Sequence, residues 1–105
     1  MKTLLAIVLV MFTTTVSAEN WRDPNALFDA RKLEVTKSLI TWVRDDNVQA
    51  RCESESRKRG NKGFGYALSA CSFWDNNTCT IITGKRTTMH DLGHEMRHCF
   101  QGSFH

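Results

Sequence analysis

The 105-residue chain carries 14 lysines and arginines against 11 aspartates and glutamates, a formal charge of +3, together with four cysteines and four histidines. That length allows one small domain and excludes a multidomain enzyme. The charge excess is too small to call for a nucleic-acid partner, so no such partner is expected.

Residues 1–18 read as an export signal that is cleaved: Lys2 supplies positive charge, Leu4 to Phe12 form an apolar run, and Val16-Ser17-Ala18 places small residues before the cut. The apolar run is under half of the ~20 residues a spanning helix needs, so no membrane anchor is expected after cleavage. Residues 19–105 then form a single domain close to the lower size limit for a self-sufficient core. Cys52, Cys71, Cys79 and Cys99 all lie in it. An even number of cysteines in an exported chain, periplasmic or secreted, predicts two stapling disulfides.

Along this domain, Leu27, Phe28, Ala30 and Leu33 recur near helical spacing after Pro24. They predict a first helix over 25–37 that covers one side of a sheet. Leu39 to Val43 is a β-branched and aromatic run closed by Arg44-Asp45-Asp46-Asn47, a strand with its exit turn. Asp46 or Asn47 then caps a helix reaching Arg59, with Gly60 as its stop. Arg57-Lys58-Arg59 through Lys62 follows Glu53 and Glu55 and lacks interleaved aromatics, so it reads as a solvated helix end.

Gly60 to Gly65 is the flexible connection. Tyr66 to Trp74 and Thr78 to Thr83 flank Asp75-Asn76-Asn77, the pattern of an antiparallel hairpin. The fold class expected is therefore α+β, with a small antiparallel sheet and a C-terminal helix, stapled by disulfides. Trp21, Trp42, Phe73, Trp74 and Phe100 are assigned to its core.

Thr88 to Phe100 is the best-defined helix: Thr88 and Asp91 make a capping-box pattern and Gly102 stands at its end. Met89, Leu92, Met96 and Cys99 fall at spacings of three and four and are expected to line its buried face. At about 100° per residue, His94 and His98 share a different face, with Glu95 beside them.

His94-Glu95-Met96-Arg97-His98 puts two imidazoles one turn apart, the separation at which both reach one tetrahedral Zn²⁺. A glutamate directly after the first histidine can accept a proton from water during attack on a carbonyl and deliver it to the leaving amine. This HExxH pattern resembles the zincin metallopeptidases. The resemblance implies His94 and His98 as zinc ligands, Glu95 as general base, and an edge strand that aligns a peptide substrate, for which Thr78 to Thr83 is the candidate. Metzincins continue as HExxHxxGxxH, whereas here Gly102 and His105 follow one residue later. Gly102 can still reverse the chain so that His105 supplies the third ligand. His90, one turn before His94, is the alternative ligand, and Asp91 can orient an imidazole.

Four cysteines allow three pairings and the sequence does not choose among them. A turn centred on Asn76-Asn77 sets Cys71 opposite Ile82, which disfavours Cys71 to Cys79. A Cys79 to Cys99 bond would tie the strand to the histidine helix and leave Cys52 to Cys71. The function expected is an exported zinc-dependent peptidase. Its alternative is a non-catalytic binding or accessory protein, stabilised by zinc or stapled by disulfides alone.

Overall fold

The computed structural model describes residues 22–105; the expected signal over 1–18, and Trp21, lie outside them. Three strands and two helices follow one another: β1 (Leu39–Arg44), α1 (Val48–Lys58), β2 (Ala70–Trp74), β3 (Thr78–Thr83) and α2 (Met89–Gln101). Asn47 starts α1 by accepting a bond from the Ala50 N–H, and Gly60, at φ +81°, follows its end. The basic end of α1 is solvated and paired within the helix, Arg59 to Glu55 at 2.7 Å and Arg57 to Glu53 at 3.7 Å.

Strand β2 begins at Ala70, later than the Tyr66 expected from its apolar run. The Gln49 side chain explains this: its amide donates to the Tyr66 carbonyl at 3.0 Å and its oxygen accepts from the Leu68 N–H at 2.7 Å. Backbone groups a strand would need are already bonded to a side chain.

The sheet runs β1-β3-β2, with β2 antiparallel to β3 and β1 parallel to it. It is mixed, which corrects the expectation of an antiparallel sheet. The reason is topological: Arg44, the last residue of β1, and Ala70, the first of β2, both pair with Thr83, so β2 starts where β1 finishes and runs against it, and the hairpin's second strand then runs with β1. A second correction follows, because Thr78–Thr83 is the central strand and β1 and β2 are the edges. Cys79, Ile81, Ile82 and Thr83 are all buried, as both faces of the sheet are covered.

Alternation along the strands sends Cys71 and Ile82 to one face and Cys79 and Ile81 to the other. On the first, Cys52 of α1 joins Cys71 and Ile82 beneath Val43, Val48, Phe64, Leu68 and Phe73. On the second, Cys99 of α2 joins Cys79 and Ile81 beneath Ile40, Leu92 and Phe100. Each disulfide, Cys52–Cys71 and Cys79–Cys99, ties one helix to one face. Two such bonds fit an oxidising compartment. No described helix is long and apolar enough to cross a membrane.

With both faces taken, the predicted first helix has nothing to cover. Residues 25–37 form only a 3-10 turn, Ala30–Lys32, and Leu27 is 89% exposed. The segment instead runs as an arm across the end of α2: Glu34 and Val35 N–H groups donate to the Phe100 carbonyl at 2.8 and 3.2 Å. The aromatic core is corrected as well. Phe73 and Phe100 pack against the two clusters, but Trp42 and Trp74 stay 42% and 40% exposed, and cysteines and isoleucines fill the centre.

Candidate metal centre

Helix α2 opens at Thr88, whose hydroxyl accepts from the Asp91 N–H at 3.0 Å, and closes at Gly102, whose N–H bonds to the His98 carbonyl. Its buried residues are Glu95, His98, Cys99 and Gln101, while Met89 is 86% and Met96 40% exposed. The expected apolar stripe is thus split: Leu92 and Cys99 pack on the sheet, Met89 and Met96 turn away from it, and Glu95 and His98 share the buried side. The Cys79–Cys99 bond sets this rotation. It brings Trp74 into a parallel stack on His98, ring centres 4.8 Å apart, and the Ser72 hydroxyl to 2.7 Å from Glu95 Oε2.

Gly102 has φ +62°, a conformation that glycine adopts without a Cβ penalty, and the chain turns back there. His105 returns to the helix face. Its Nε2 lies 3.0 Å from His94 Nε2 and 3.1 Å from His98 Nε2, and the three nitrogens all fall within 4.8 Å of one another. Two ligands bound tetrahedrally at about 2.0–2.1 Å sit about 3.3 Å apart, so a small inward or outward adjustment suits one ion. His98 Nδ1 lies 2.6 Å from the Gly102 carbonyl, which requires the proton on Nδ1 and leaves Nε2 as a lone pair aimed at the cluster. These three histidines can hold a metal ion. His90 is not part of the group among the described residues.

Electrostatics favour the neutral, ligating form. Burial, then the neighbouring His98 and His105, push His94 down to about 4. His98 and His105 are also lowered, in each case chiefly by burial. Glu95 is pushed up, first by burial and further by Asp91, while the Ser72 hydroxyl opposes the shift. Imidazole donors suit zinc, copper, iron or nickel and disfavour magnesium and calcium.

One cavity of about 990 Å³ wraps the outer edge of β2, and His94, Glu95, His98 and His105 open onto it beside Ser72 and Trp74. The strand bordering the cluster is therefore β2, in place of the Thr78–Thr83 segment expected to fill that role. Sequence reasoning missed Ser72, Trp74 and Phe104. Trp74 carried a signal, a large aromatic at the mouth of a hairpin, and Phe104 one in its adjacency to His105; Ser72 carried none. Comparison with protein-family models, with curated proteins and with solved structures finds no match to this chain.

Proposed function

We propose that this protein is an exported zinc-dependent peptidase, with His94, His98 and His105 as the metal ligands. One observation carries the reading: three imidazole nitrogens converge at 3.0–3.1 Å beside a buried glutamate that opens onto the same cavity. Zinc would supply Lewis acidity, polarising a carbonyl and making water nucleophilic near neutral pH. Glu95, whose proton affinity is raised by burial, takes the proton of the attacking water. It returns that proton to the amine as the C–N bond of the peptide breaks. The outer edge of β2, paired by no strand among the described residues, offers main-chain groups to an extended substrate, which gives the cavity a peptide-shaped wall.

The test begins with metal content. About one zinc per chain is expected, lost in His94→Ala and His105→Ala and kept in His90→Ala. Glu95→Gln should retain the metal and abolish cleavage of a denatured-protein substrate; cleavage by this variant at the wild-type rate refutes the general-base role.

A second reading rests on the Ser72–Glu95 bond, which gives the carboxylate a packing role between α2 and β2. On this reading the chain is a zinc-stabilised accessory module. Zinc bound at wild-type affinity, with no peptide hydrolysed, would favour it.

A further inference from the structure

His105 lies on a short tail beyond α2 and is exposed, so the helix does not by itself fix where its ring points. The third ligand of a metal site needs a supporting contact to hold its direction. Phe104 is placed to give it. Its ring lies 4.9 Å from the ring of His105, 4.4 Å from His98 and 5.1 Å from His94, centre to centre. His98 is thus held between Phe104 on one side and the parallel ring of Trp74 on the other.

Arg97 covers Phe104 in turn, its guanidinium carbon 3.9 Å from the ring centre. A cation one residue from a ligand of a metal site opposes metal binding by charge repulsion. Its position is intelligible if it holds the ring, where a cation over an aromatic face is attracted. Arg97 is itself anchored: Nε donates to Gln101 Oε1 at 2.6 Å, and Gln101 Nε2 donates to the Asp29 carbonyl of the arm at 2.9 Å. A continuous set of contacts therefore runs from the arm through Gln101 and Arg97 to Phe104 and the ring of His105.

We propose that Phe104, clamped by Arg97, is the positioning residue that presents His105 as the third ligand. The proposal rests on the metal reading above. Zinc affinity is measured by competition with a chromophoric chelator, and the unfolding temperature of the metal-free form is recorded alongside. Losing a contact that orients a ligand typically weakens a site 10–100-fold. Phe104→Ala should show that loss with the metal-free unfolding temperature unchanged, and Phe104→Tyr should restore affinity to within about threefold. In a His105→Ala background, where zinc is not retained on purification but His94 and His98 still bind added zinc weakly, Phe104→Ala should weaken that residual affinity no further, because the ring acts through the ligand already removed.

Wild-type affinity in Phe104→Ala overturns the proposal, as does a further tenfold loss in the His105→Ala background. Should Phe104→Ala fail to fold, Phe104→Leu keeps the apolar bulk and removes the aromatic face; it should still lose affinity, and wild-type binding there overturns the proposal equally. Failure of the wild-type protein to bind zinc would instead refute the metal reading itself.

Discussion

Replacing Ser72 by alanine removes a hydroxyl that donates to the Glu95 carboxylate, at 2.7 Å and between two residues each 8% exposed. A hydrogen bond to a buried charged acceptor contributes about 1.5–3 kcal/mol. In a domain of this size each kcal/mol moves the unfolding midpoint by about 4–8 °C, so a 2 kcal/mol loss lowers it by about 8–16 °C. The loss should depend on pH with a defined sign. Glu95 is raised above its ordinary value of 4.5 in the folded chain, so its contribution is fully present below that value and is lost as pH rises through the folded value. The Ser72 hydroxyl opposes the raise, and without it the penalty of ionising Glu95 grows. Ser72→Ala should therefore destabilise more at pH 8 than at pH 4. The assay is thermal unfolding of the metal-free protein at both pH values, in a cycle with Glu95→Gln, whose amide oxygen can still accept the hydroxyl. A cost below about 0.5 kcal/mol at pH 8, or one equal at both pH values, refutes the reasoning.

The histidines predict the opposite pH behaviour. Their folded values are depressed, so their contribution is present above the ordinary 6.5 and is lost as pH falls, for His94 toward about 4. A magnetic-resonance titration of the metal-free protein should place the His94 midpoint near 4, and a midpoint at 6.5 would contradict it. The disulfides span separations of 19 and 20 residues, so paired Cys→Ala changes should cost about 3 kcal/mol each. Only loss of Cys79–Cys99, which sets the rotation of α2, should also weaken zinc; equal affinity in both double variants would show that the bond does not orient the site. Gly102→Ala should destabilise by about 1–3 kcal/mol through its positive φ. Its new Cβ would also stand 2.7 Å from Glu34 Oε2, so adding Glu34→Ala should recover only part of the loss in urea unfolding.

Local elements were legible because their signals are local. Asn47 and Thr88 accept from N–H groups three residues on, Gly60 and Gly102 take the positive φ that ends a helix, and the Asp75-Asn76-Asn77 turn sets Cys71 opposite Ile82. The spacing of His94 and His98 followed from helical geometry alone, and the reversal at Gly102 made His105 a candidate. A further signal was present and misread: Cys79-Thr80-Ile81-Ile82-Thr83 is a continuous apolar and β-branched run, the pattern of a strand covered on both faces. Strand pairing is set by contacts distant in sequence, so the parallel β1–β3 register and the exposure of Leu27 could not be read from the chain. The sequence by itself determined α1, α2, the hairpin turn and two histidines on one helical face, since each depends on neighbours within about four residues, whereas the helical spacing of Leu27, Phe28, Ala30 and Leu33 met no surface to cover. Only the tertiary structure decided which side of α2 faces the sheet, because a disulfide to β3 outweighs the apolar spacing of Met89 and Met96, and that rotation puts Glu95, Ser72 and Trp74 at the histidine cluster.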